Sequence, residues 1–395
     1  MKSTLAKSVL ALGLAAGLGS TAFAQEVRGV TDTEIVIGSN GDLSGVFAPF
    51  NVQAIQAAQQ HFDEINEAGG IHGRKIRFVV EDHGYQVPKA VQNFNKLINS
   101  DKVFAMLLNL GTPHNIAGFQ MMEPNKVANV SPLTSARQMI EGDIAYKYAG
   151  SSSYYDGVKA GIEFLAKETG AKELCAMYFP SDFGLEVFEA TKEKAEELGL
   201  TYAAETTHRP DEQDFVGSVT KLRDAGCDIV ATAVGVRQTI TILGTAKQLG
   251  WNDVTFIGSS AGFNTAVAKV PGGITEGYHA AAGWSDLENR LADTPELKEW
   301  ADAFKAEFGA DAGTAAQLGK SAAQGLTRGL EAAGKELTPE SFQKGMETLS
   351  YEDPIMDVTV KYGADDHQGG DLIVISKIEG GKWVEVGRVD PTTSQ

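Results

Sequence analysis

Short apolar runs alternate with stretches whose apolar positions recur at helical spacing along most of this chain. EIVIGS, from Glu34 to Ser39, reads as a buried strand, and Ile55, Ala58, Phe62 and Ile65 then share one helical face. Gly69-Gly70 ends that helix, because a glycine just past the last turn takes the left-handed backbone without a side-chain clash. KIRFVVED (Lys75 to Asp82) is the next predicted strand, and Val91, Phe94 and Leu97 mark the next helix. VFAMLLN (Val103 to Asn109) and VANVS (Val127 to Ser131) are predicted strands on either side of another. The pattern restarts at IAYKYAG (Ile144 to Gly150), with strands at ELCAMYFP (Glu173 to Pro180), LTYAAETT (Leu200 to Thr207), DIVATAVG (Asp228 to Gly235) and VTFIGSS (Val254 to Ser260). Between them, helices carry Val158, Ile162 and Leu165, then Phe188, Thr191, Ala195 and Leu198, and two more run from Glu212 to Ala225 and from Arg237 to Leu249.

Strands alternating with helices at this interval predict βαβ units, hence an α/β fold with parallel sheets covered on both faces. Two such series in one chain predict two similar lobes. From Thr294 to Leu349 the pattern is helical, and the Ala/Gly-rich run from Ala312 to Gly334 reads as one closely packed helix. The chain ends in strand-like segments, with Gly380-Gly381 as a hairpin turn. No low-complexity linker separates the halves, so more than one chain crossing is expected to join them.

Composition then narrows the setting. Lys2 and Lys7, an apolar run from Val9 to Leu18 and Ala22-Phe23-Ala24 form the pattern of a cleaved secretory signal peptide over residues 1–24. The mature protein is therefore expected to be exported. The formal net charge is -18, and removing residues 1–24 takes away two lysines and no acids. That acidity argues against nucleic acid or an anionic membrane as partner, since both need basic patches. Cys175 and Cys227 are the two cysteines. An exported protein permits a disulfide between them, and two buried thiols fit the neighbouring apolar strands equally well.

For chemistry, LLNLGTPHN (Leu107 to Asn115) runs a strand into Gly111-Thr112-Pro113. Pro113 suits the first turn of a helix, which makes Thr112 the expected N-cap. A helix start presents unpaired N–H groups and a partial positive charge, suited to a carboxylate. GSNGDLSG lacks the spacing of a dinucleotide loop, the seven histidines are scattered without metal-ligand spacing and read as surface residues, and no nucleophile elbow or P-loop occurs. No cofactor, no metal and no catalytic residue are expected. Strand ends instead carry Ser44, Phe50, Asn109, Thr112, Ser131, Ser135, Phe183, Arg237 and Ser260, and Tyr85, Tyr154, Tyr155 and Phe263 add aromatic surface nearby. Open parallel sheets bind ligands outside the carboxyl ends of their strands, in clefts with a few oriented polar groups.

EIVIGSNGDLSG, INEAGGIHGRKIRFVVED, PKAVQNFNKLI, VANVSPLTSA and DFGLEVFEATKEKAEELGL resemble the periplasmic substrate-binding proteins of ABC importers in the branched-chain amino acid cluster. The resemblance extends from about Glu34 to the C-terminus. It implies a type I periplasmic binding protein fold, two doubly wound parallel-sheet lobes joined by a three-crossing hinge, with crossings near Gly150–Ser153, Ala282–Trp284 and Met356–Val360. The lobes would be residues 31–150 with 284–356, and 151–282 with 357–392. It further implies a monomer that captures a small amino acid or related carboxylate and delivers it to an ABC permease and its ATPase, without catalysis. A soluble ligand sensor is the second function the fold serves. In that family the ligand carboxylate is held by the loop matching Thr112 and by the loop matching Leu133 to Ser135. Phe50 matches an aromatic wall, and Phe183 matches a position that is often Tyr. Amino-acid binders carry an acid two residues after the Gly of the F-x-G strand end, to pair with the ligand ammonium. This chain reads FIGSSAGFN there, with Ser260 in that place. The departure points to a carboxylate or amide without an amino group, unless Asp156 or Asp182 supplies the charge.

Overall fold

The computed structural model of the chain describes residues 27–390, and the signal peptide expected over residues 1–24 lies outside them. β1 (Glu34–Gly41), β2 (Lys75–Asp82), β3 (Ala105–Leu107), β4 (Ala128–Val130) and β5 (Lys147–Tyr148) form a parallel sheet in the order β2-β1-β3-β4-β5. α1 (Ala48–Glu67), α2 (Val87–Asn95) and α3 (Thr112–Met122) make its crossovers. Central strands are buried because helices cover both faces: β3 is apolar and buried along its whole length, whereas the edge strand β2 is partly exposed.

α4 (Tyr154–Thr169) leads into a second sheet containing β6 (Glu173–Tyr178), β7 (Thr201–Thr207), β8 (Ile229–Ala233), β9 (Thr255–Gly258) and β10 (His279–Ala282). Its crossovers are α5 (Asp182–Leu198), α6 (Val216–Asp224), α7 (Val236–Gln248) and the short α8 (Thr265–Ala268). α6 starts later than its sequence predicts, because Glu212 is engaged by the Arg209 N–H and the His208 ring rather than in a helical turn. The chain then returns to the first lobe as α9 (Pro295–Phe308), α10 (Thr314–Ala333) and α11 (Pro339–Glu347). β11 (Ser350–Asp353) and β12 (Val358–Lys361) pair with each other, and β13 (Ile373–Glu379) and β14 (Lys382–Val389) rejoin the second sheet.

The second sheet runs β14-β13-β10-β9-β8-β6-β7, so it is not wholly parallel: β13 is antiparallel to β10, and β14 to β13. Gly380 and Gly381, at φ 61° and 76°, form the two-residue turn of that hairpin, whose twist needs two positive φ values. Three passages of chain join the two sheets. The third runs later than Met356–Val360, because β12 pairs with β11, and Tyr362 N–H donates to the Leu349 carbonyl before the chain reaches β13.

Cys175 in β6 and Cys227 before β8 form a disulfide, with Cα atoms 5.9 Å apart, which decides between the two readings the sequence allowed. α10 lies along α1 so closely that a Cβ at Gly319 would sit 2.0 Å from the Ala54 carbonyl oxygen. Gly319→Val is therefore expected to cost about 2 kcal/mol through overpacking. The midpoint of urea unfolding checks it, and an unchanged midpoint would show that the two helices separate without penalty. Among the described residues, no helix is long and apolar enough to cross a membrane.

Candidate functional site

The carboxyl ends of β3 and β4 build one wall of a cleft between the sheets. Past β3 the chain turns through Leu108, at φ 58°, and Gly111, at φ 95°, into α3. Gly111 itself is the N-cap, and Thr112 is the first helical residue rather than the cap its sequence predicts. A Cβ at Gly111 would lie 2.3 Å from His114 Nδ1, so the turn has no room for a side chain. Past β4, Ser131 takes φ 43° and the loop is tied to the first: the Leu133 N–H donates to the Asn109 carbonyl at 2.9 Å. Thr112 Oγ1 and Thr134 Oγ1 share a hydrogen bond of 2.6 Å, and the Tyr154 N–H donates to the Ser135 carbonyl at 2.8 Å. The first N–H groups of α3 have no partner within the helix, so this corner collects donors and hydroxyls around one point.

The other walls are aromatic. Phe47 packs against Tyr85 at 4.8 Å between centroids and edge-on against Phe183, across the cleft, at 5.8 Å, and Tyr154 meets Phe183 at 5.2 Å. Phe50, Trp284 and Met356 close the chamber, and Ser260 and Ser321 add hydroxyls, around a cavity of about 90 Å³. Among the described residues, no Asp, Glu, Lys, Arg or His lines it. Behind the first-lobe wall, His83 and His114 stack at 4.3 Å. Burial holds His83 at a pKa of about 4, and burial with the neighbouring His83 holds His114 at about 3, so both rings are neutral near pH 7. These two are core residues, not the surface histidines expected.

The model of the periplasmic binding protein family matches residues 34–382. The chain belongs to that family. Among curated proteins, this binding protein is 26% identical over 231 residues to an "Amino acid binding protein" of Pseudomonas aeruginosa, covering 58% of this chain and 59% of that relative. It is 24% identical over 322 residues to the same organism's "Leucine-, isoleucine-, valine-, threonine-, and alanine-binding protein", covering 81% and 84%. Among solved structures, a fatty acid ABC transporter substrate-binding protein from Thermomonospora curvata superposes with a TM-score of 0.83 at 26% identity, covering 92% of this chain and 93% of that one. The fold is therefore that of type I periplasmic binding proteins, and the chain is a solute-binding protein rather than an enzyme.

Six of the ten residues singled out in the sequence line the cavity of this binding protein: Phe50, Thr112, Leu133, Ser135, Phe183 and Ser260. Four do not. Ser44 faces outward and donates to Asp82 Oδ2 at 2.7 Å. Asn109 points away from the cleft and is consumed behind it, accepting from the Asn40 N–H at 2.9 Å and donating to Asn129 at 2.8 Å. Tyr155 lies outside, over Arg137 and bonded to Glu193, while its neighbour Tyr154 takes the place in the lining. Arg237 is exposed in an outer groove that Ser44 also borders. Phe263 is core, stacked on Trp383 at 4.5 Å. Neither Asp156, bonded to Ser153, nor Asp182 reaches the cavity lining. The sequence reading missed Phe47 at the start of α1, Trp284 on the second chain passage, Ser321 on α10 and Met356 between β11 and β12; only the fold brings them to the cleft.

Proposed function

We propose that this protein captures, in the periplasm, a small carboxylate or amide without a charged amino group, and delivers it to an ABC permease and its ATPase. The observation that carries the reading is the neutrality of the cleft lining. A bound ammonium there would lose its water without gaining a carboxylate partner, a cost of several kcal/mol. Thr112, Thr134, Ser135 and the start of α3 supply donors for a carboxylate, while Phe47, Phe50 and Phe183 take its apolar body. We take the two lobes that the three passages join as closing on the solute in a monomer, with the third boundary after Tyr362 rather than at Met356. The relative from Thermomonospora curvata, a fatty acid ABC transporter substrate-binding protein, supports an occupant that lacks an amine. The relative named for leucine and its neighbours supports the alternative, an amino acid whose ammonium meets carbonyls and hydroxyls such as Ser260.

Mass spectrometry of the solute released when freshly purified protein is denatured tests this. The expected result is an unmodified acid or amide without a primary amine. An amino acid recovered in stoichiometric amount would overturn the reading.

A further inference from the structure

Tyr85 is held in place more firmly than a residue merely filling space in the cleft wall. It sits between β2 and α2 with φ 57°, a backbone conformation that side-chain-bearing residues rarely take. The turn that imposes this is pinned on both sides. The Gly84 N–H donates to Asp82 Oδ1 at 2.9 Å, and the Tyr85 N–H donates to His83 Nδ1 at 2.9 Å. With Nδ1 accepting, the His83 proton is on Nε2, which donates to the Leu110 carbonyl at 3.1 Å and so ties Tyr85 to the carboxylate corner. The ring is gripped by Phe47 and by His114, at 4.8 Å and 4.6 Å between centroids.

All of these contacts are made by the backbone and the ring. The phenol oxygen hydrogen-bonds no group among the described residues, although the residue lines the cavity. Burial pushes its pKa up, so it stays a neutral hydroxyl that can both donate and accept. The other tyrosine of the lining differs, since Thr134 and the Ser135 backbone both moderate the burial-raised pKa of Tyr154. A polar group fixed at such a place and left without a protein partner gains one when the solute provides it.

We infer that Tyr85 is a specificity-determining residue, whose hydroxyl recognises a second polar oxygen on the solute, so that the solute class is small hydroxy, oxo or amide-bearing carboxylic acids. This rests on the neutral-cleft reading above and narrows it. Protein lacking residues 1–24 and Tyr85→Phe are titrated calorimetrically with two pairs: benzoate against 4-hydroxybenzoate, and 4-methylpentanoate against 2-hydroxy-4-methylpentanoate. In at least one pair the hydroxylated acid is expected to bind the natural protein about tenfold more tightly or better. Tyr85→Phe is expected to erase that preference while leaving the plain acid within about threefold and the melting temperature unchanged. A natural protein that binds both members of each pair equally, or a Phe variant that keeps the preference, overturns the inference and leaves the neutral-cleft reading standing. A solute recovered from purified protein with one carboxylate and no further polar group does the same. Binding of leucine to the exclusion of all four acids overturns both.

Discussion

Replacing Cys175 and Cys227 together by alanine is expected to cost about 4 kcal/mol of stability, the largest effect of any change considered. The bond closes a separation of 52 residues, and removing it frees that loop in the unfolded chain. The loop holds α5, β7 and α6, so the link joins β6 to the approach to β8 around half of the second lobe. Both cysteines are buried, and the alanines also leave a small packing defect there. Guanidinium unfolding of the double variant beside the natural protein, with and without reductant, checks the value. The natural protein under reductant should approach the variant, and coincident oxidised curves would show that the loop needs no closure.

Arg137→Ala is expected to cost about 3 kcal/mol at pH 7, and less at pH 5. Arg137, in the loop after β4, meets Glu186 of α5 through Nε at 2.9 Å and through its backbone N–H at 3.3 Å, which ties the two lobes beside the cleft. The Glu186 side chain is 1% exposed, so the variant leaves a carboxylate buried without its partner. The 2.7 Å contact to half-exposed Glu189 adds little. Burial raises the Glu186 pKa above its ordinary value, and Arg137 is the main influence pulling it back. Removing Arg137 raises it further, so the carboxylate takes a proton at a higher pH in the folded variant than in its unfolded chain. The deficit is therefore fully present above that raised pKa and shrinks as pH falls through it. Urea unfolding at pH 7 and pH 5 checks both size and sign, and a deficit that grows toward acid would contradict the account.

The alternation of apolar runs made most of the strands and helices legible, because parallel strands buried on both faces carry a strong continuous signal. Gly380-Gly381 and the helix α10 were legible for equally local reasons. Partners across the sheet were not, and so the antiparallel edge β13–β14 and the pairing of β11 with β12 appear only in three dimensions. In the site, a one-residue step decided two assignments. Leu108 and Leu110 face the cleft while Asn109 between them turns into the Asn40 and Asn129 network. On the first turn of α4, one residue rotates the side chain by about 100°. That rotation separates Tyr154, in the lining, from Tyr155, outside. Ser260 lines the cavity because its strand ends at the cleft, and the lack of any acid around it among the described residues needed the whole lining to be seen.

The most direct test of that neutral lining is a calorimetric titration of protein lacking residues 1–24, stripped of bound solute, with leucine against 4-methylpentanoate and phenylalanine against 3-phenylpropanoate. The account predicts that a deaminated acid binds, and that its amino acid is weaker by about a hundredfold or more. Leucine or phenylalanine binding more tightly than its deaminated partner would contradict it, and would mean that hydroxyls and carbonyls alone satisfy a buried ammonium in this cleft.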